Sequence, residues 1–243
     1  MYHGTHRFQT YRTLKHFVTT TFLLVFSALV LFAAGYFANA PWQEISTSLG
    51  LSLSRLLVGY GISLFLGIAL ALVIGVNAKF GEKVLPVFDV LQNIPSFALI
   101  PLFIAAFGYG STMIIFFAAT SIIWPIMFYA ASAILGAREE LSDAAYIFGA
   151  TGLKKIFSYL IPLSFPALVT GSIVGISIGW EAVIGAEIIT QAPGIGSFLN
   201  LAGDTGNNRL LTIGILALLF VVFIISRLVW VPLLHSARKY SEA

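Results

Sequence analysis

Two carboxylates, Glu181 and Glu187, stand in an otherwise apolar run that reads Gly179-Trp-Glu-Ala-Val-Ile-Gly-Ala-Glu-Ile-Ile-Thr190. Ionisable side chains in so apolar a helix are costly, and by default they mark a functional position. Six residues at 100° each set the two about 120° apart around a helix, so they cannot form one acid pair on a single face. Glu187 falls on the face carrying Gly171, Gly175 and Gly179, toward neighbouring helices, where either a structural hydrogen bond near the outer interface or a site role would account for it. Glu181 looks elsewhere, and a cavity explains it better than lipid does.

The same helix contains Gly175-Ile-Ser177-Ile-Gly179, the G-x-S-x-G spacing of serine hydrolases. That spacing works only on a strand-to-helix turn with a histidine and an acid in reach. All four histidines, His3, His6, His16 and His235, lie near the chain ends, so neither a triad nor a histidine metal site is expected. There is no cysteine, which removes thiolate nucleophiles, thiolate metal sites and disulfides. No G-x-x-x-x-G-K-[ST] loop occurs, so any ATP-driven work belongs to a partner. No cofactor is expected.

The elements that must position these residues are membrane helices. Of 243 residues, 58% are hydrophobic and 9% charged, with a mean hydropathy of +0.95, against about 25% charged in a soluble domain. A bilayer core needs roughly 20 apolar residues per helix. Six runs qualify, at about 17–38, 51–78, 84–107, 111–135, 167–190 and 209–234. They are continuous rather than alternating, which favours helices over a barrel. The first is too long for a signal-peptide core and reads as a retained helix. The fold expected is all-α, one polytopic domain over 1–243.

Ten basic residues, Arg7, Arg12, Lys15, Lys79, Lys83, Arg138, Lys154, Lys155, Arg238 and Lys239, fall in the two tails and in alternate loops. They serve orientation better than nucleic-acid binding, and they put both termini in the cytoplasm. Arg55 and Arg209 are read as helix-margin residues on the other side.

Small residues recur every fourth position in the second run (Gly59, Ser63, Gly67, Ala71, Gly75) and again at Gly171, Gly175 and Gly179 in the fifth. Such ridges let helix backbones approach closely, either within the chain or at a subunit seam. In the third run Pro86, Pro95 and Pro101 surround the polar text Asp89-Val-Leu-Gln92-Asn93-Ile94-Pro95. This stretch either lines a path or sits at the cytoplasmic interface.

The loop 136–166 is long enough to have its own structure. Leu141, Ala144, Ala145 and Phe148, then Leu153, Ile156, Phe157 and Leu160, recur at helical spacing around Gly149 and Gly152. Two short helices joined at a glycine turn are expected there. Asp143, Ala144, Ala145 and Gly149, followed by Tyr159, Ile161 and Pro162, resemble the Glu-Ala-Ala–Gly–Ile-x-Leu-Pro loop of ABC importer permeases. Asp143, Tyr159 and Ile161 depart from that pattern in residue type. The stretch Asp89–Gly108, with Ala186-Glu187 and Gly194-Ile-Gly196, resembles the nitrate, sulfonate, taurine and bicarbonate branch. This branch often has a basic residue where the chain has Asn93, and Glu181 is not expected in it. Both departures lower the positive charge near the path.

The resemblance implies a type I ABC importer permease fold in the cell inner membrane, carrying a small solute such as an organic or inorganic anion. It implies a second permease copy, an ABC ATPase docked on the 141–162 loop and an extracytoplasmic binding protein. Gln92, Asn93, Pro95, Glu181 and Glu187 are then candidates for the translocation path. An ion-coupled secondary transporter is the alternative, for which matching broken helices in two halves would be the sign.

Overall fold

The computed structural model describes residues 21–241 except positions 22, 24, 26, 34, 37, 38, 138–142 and 144. Every regular element among the described residues is helical.

Helix α1, Trp42–Val76, begins directly after Pro41, well ahead of the start expected at 51. The polar stretch Gln43–Ser48 conceals this first part, because Ser46 and Thr47 turn their hydroxyls back onto the Gln43 carbonyl at 3.0 and 2.9 Å. Ile45 anchors it in a second apolar cluster with Leu31, Ile195, Phe198, Ile213 and Ala217. With 35 residues, α1 measures about 52 Å at 1.5 Å per residue. It therefore projects beyond a hydrocarbon core of about 30 Å. Asn77 ends it in an extended conformation and caps α2, Ala78–Gln92, by accepting the Phe80 N–H at 3.2 Å.

The third apolar run is broken. Helix α2 continues through Pro86 and stops at Asn93. Pro95 disfavours helix at Ile94, and a 3₁₀ turn at Ser96–Leu99 leads into α3, Ile100–Phe107, where Pro101 sits harmlessly in the first turn. The two arms meet at a bend of 81°.

Gly108 and Gly110, both at positive φ, turn the chain into α4, Ser111–Leu135. This is the central helix, with twelve buried residues including Met113, Phe117, Ile122, Ile126 and Ile134. In the following loop, 143 and 145–147 are helical, and Gly149 at φ +76° makes the turn. The second short helix expected there has no end of its own. It is the start of α5, which runs unbroken as Gly152–Thr190. A π turn at Ile156–Leu160 ends two residues before Pro162 and widens the helix where the proline ring would otherwise clash.

Between the fifth and sixth expected runs, 167–190 and 209–234, lies α6, Ile195–Asp204, with Ile195, Phe198 and Ala202 buried. Helix α7, Asn208–Ile225, passes through a second π turn at Ser226–Trp230 into α8, Val231–Ser241. Among the described residues four helices are long and apolar enough to span a bilayer, or five with the bent pair counted as one. Of the first run expected, 17–38, residues 27–33 are helical, and 17–20 lie outside the described residues.

Both small-residue ridges are filled by α4. A Cβ on Gly59 would meet the Ile115 carbonyl at 3.1 Å, one on Gly67 would meet Ile126 at 2.9 Å, and one on Gly75 would press on Ile134. On α5, Gly171 faces Pro125 and Ile126, Gly175 faces Ile122, and Gly179 fits between Ile122 and Leu56. Ser63 adds a hydrogen bond across the first seam, donating to the Ala119 carbonyl at 2.8 Å. The Tyr60 hydroxyl and Ser172 Oγ lie 3.0 Å apart and tie α1 to α5.

Candidate functional site

The break in the α2–α3 pair forms one wall of a cavity of about 820 Å³. Gln92, Asn93 and Pro95 all line it; Thr120, Ser121 and Trp124 on α4 and Val174 and Ile178 on α5 face them. The polar break is held by Asp89. Gln92 Nε2 donates to its carboxylate at 2.6 Å and Asn93 Nδ2 to its backbone carbonyl at 2.5 Å. Phe97 and Phe103 pack on Phe117 with ring centroids 5.9 and 5.6 Å apart, which seats the short 3₁₀ turn and α3 against α4.

Glu181 is exposed. It lies three residues beyond Ile178 and seven beyond Val174, within about 60° of both around the helix. It thus continues the α5 stripe whose earlier members line the cavity.

Glu187 is placed quite differently, with 0% of its surface exposed. Arg55 Nη1 donates to Oε1 at 2.6 Å, Ser52 Oγ contacts both carboxylate oxygens at 2.8 Å, and the Gly196 N–H donates to Oε2 at 2.9 Å. Arg55, itself 5% exposed, also donates to the Pro193 carbonyl at 2.7 Å and to Ser111 Oγ at 3.1 Å. Ser52 on α1, Ser111 on α4, and Pro193 and Gly196 in the 193–196 turn thus converge on the ion pair between α1 and α5, which fixes this end of the bundle. Gly194 belongs to the same arrangement, because a Cβ there would fall inside the Glu187 carboxylate. Arg55 is therefore not a helix-margin residue. It lies well inside α1 and supplies the counter-charge that sequence reasoning missed. The available signal was charge balance, since Arg55 is a cation in apolar text with no acid near it in sequence.

At the opposite end of α5, the loop presents apolar side chains outward. Tyr146, Ile147 and Phe148 are 71%, 80% and 83% exposed, and Leu153 and Phe157 are 73% and 68% exposed. Asp143 is helical and exposed, Ala145 is half-buried, and Ala144 lies outside the described residues. Pro162 sits in the first turn after the π turn. No group of three or more His, Asp or Glu able to hold a metal occurs among the described residues.

Residues 63–231 match the family of binding-protein-dependent transport system inner membrane components. The chain belongs to that family. It is a multi-pass inner-membrane component, and its relatives agree with this. It is 31% identical over 202 residues to the nitrate import permease protein NrtB of Leptolyngbya laminosa, covering 80% of this chain and 72% of that one. It is 22% identical over 191 residues to the taurine transport system permease protein TauC of Escherichia coli (79% and 68% covered). With the bicarbonate transport system permease protein CmpB of Synechococcus elongatus it shares 27% over 159 residues (65% and 55% covered). In fold, a chain of the MetNI methionine ABC transporter in an inward-facing conformation superposes with a TM-score of 0.70 at 18% identity, covering 80% of this chain and 96% of that one.

Proposed function

We propose that this chain is the permease subunit of an ATP-driven importer, forming the path for a small solute delivered by an extracytoplasmic binding protein. It works with a second permease copy, most simply an identical one, and with ABC ATPase subunits. Both termini are cytoplasmic, and the helical segment at 27–33 belongs to a sixth span. The relatives' names, for nitrate, taurine and bicarbonate, favour a small polar solute.

One observation carries this reading: a single helix joins three places that an importer must couple. Helix α5, 39 residues long and about 58 Å from end to end, begins at the exposed apolar loop, forms the cavity wall at Val174 and Ile178, and ends at the buried Glu187. Apolar side chains outside the bilayer need a covering surface, and an ATPase groove supplies one to Tyr146–Phe148. A push on that surface travels along α5 to the cavity and to the outer turn. The bend at Pro95 lets the opposite wall yield, so that the cavity opens to one side at a time.

The test is Gly149→Leu. Gly149 has φ +76°, a conformation that costs an L-residue about 1–2 kcal/mol, so the loop must reshape. The tagged variant should reach the membrane yet lose its co-purifying ATPase and its ATP-driven uptake. Normal uptake would remove the coupling role of the loop.

A further inference from the structure

The electrostatics of the cavity point to a cargo class that the relatives' names do not give. Its lining contains no Lys, Arg or His among the described residues. The polar side chains in it are neutral (Gln92, Asn93, Ser96, Thr120, Ser121 and Tyr129), while the apolar part sets the aromatic rings of Phe103, Phe117, Trp124 and Phe128 among aliphatic and proline side chains. No charged side chain among the described residues lines it, and the two charges next in position to the lining residues are negative. Asp89 holds Gln92 and Asn93 from behind, and Glu181 continues the lining stripe of α5 as an exposed carboxylate. The buried cation Arg55 is paired with Glu187, and Lys79 and Lys83 lie toward the far end of α2 from the break.

A bilayer-embedded carboxylate beside an uncompensated cavity repels anions and concentrates cations. Aromatic faces add to this, since they attract cations and stack on planar rings.

We propose that this path carries an aromatic solute, cationic or uncharged, with Glu181 as the counter-charge of a cationic one, and disfavours small anions. The proposal rests on the reading of the cavity as the translocation path. The absence of cysteine from the chain makes it directly testable. Thr120→Cys places one thiol in the lining at little steric cost. In the intact importer in lipid nanodiscs, that thiol is reacted with cationic trimethylammonium-ethyl methanethiosulfonate or anionic sulfonatoethyl methanethiosulfonate, and the mass of the permease chain reports the rate of each.

Relative to the same two reagents acting on a small thiol in solution, the cation should be favoured by about tenfold or more. Adding Glu181→Gln should bring the ratio toward the solution value. Benzylammonium or nicotinamide should slow the modification, whereas nitrate, bicarbonate and taurine at equal concentration should not. Reaction with neither reagent would show that the cavity is not an aqueous path, and the proposal would fall with that reading. Reaction with an anion-favouring or unchanged ratio would leave the path in place and overturn the charge inference. Protection by the anions, or by none of the solutes, would overturn the cargo class.

Discussion

Replacing Arg55 by leucine leaves the Glu187 carboxylate fully buried with only Ser52 Oγ and the Gly196 N–H as donors. It also strips the Pro193 carbonyl and Ser111 Oγ of their guanidinium partner. Removing one member of a buried ion pair costs about 3–5 kcal/mol, because the other charge is left uncompensated. For a chain of this length each kcal/mol lowers the melting temperature by roughly 2–4 °C, so the expected fall is roughly 6–20 °C. The measurement is thermal unfolding of the purified chain in mild detergent, followed by tryptophan fluorescence. The variant Arg55→Met/Glu187→Met removes both charges at once and should recover much of the loss. Gly194→Ala, which pushes a methyl into the same carboxylate, should fall in the same direction as Arg55→Leu. A single substitution at Arg55 that shifts the midpoint by less than about 2 °C, less than the effect of 1 kcal/mol, would refute the view that this pair holds its end of the bundle together.

Gly179→Leu would force a side chain into space already taken by Ile122 and Leu56; overpacking of this kind costs about 1–3 kcal/mol or more, and size-exclusion profiles should show loss of monodisperse protein, whereas the exposed Gly203, with no atom within 4 Å of an added Cβ, should accept alanine with an unchanged profile. Pro95→Ala restores an N–H and relaxes the restriction on Ile94. Uptake by the complete importer should slow severalfold in that variant while expression and ATPase binding stay normal.

The parts of the fold that were legible in the sequence are those with local punctuation. Helix α4 is bracketed by Gly108-Tyr-Gly110 and Gly136, and it spans Ser111–Leu135. The bend at Asn93–Pro95 follows from one proline and its effect on the residue before it. Three features were not legible, each for a physical reason. The polar beginning of α1 reads as a loop because its hydroxyls are satisfied by the helix's own backbone. The fifth span, expected over 167–190, starts at Gly152 because α5 runs through Pro162 and Pro166, a π turn accommodating the first. Helix α6 is short and amphipathic, held by burial of Ile195, Phe198 and Ala202 rather than by any strong local preference.

At the candidate site the carboxylates stood out at once, but what each does depends on partners far away in sequence. Glu187 is 132 positions from Arg55, and no local pattern links them. The glycine ridges declared that something packs closely on α1 and α5; that both receive the same helix, α4, is a property of the folded bundle.

The central claim is that this chain moves its solute only when an ATPase drives it through the 141–162 loop. The most direct measurement is uptake of the solute captured by the partner binding protein, in cells that carry the permease with and without the ATPase gene. The account predicts uptake that disappears without the ATPase and returns when it is restored. Uptake that persists in the ATPase-deficient cells, sustained by a proton or sodium gradient, would contradict it.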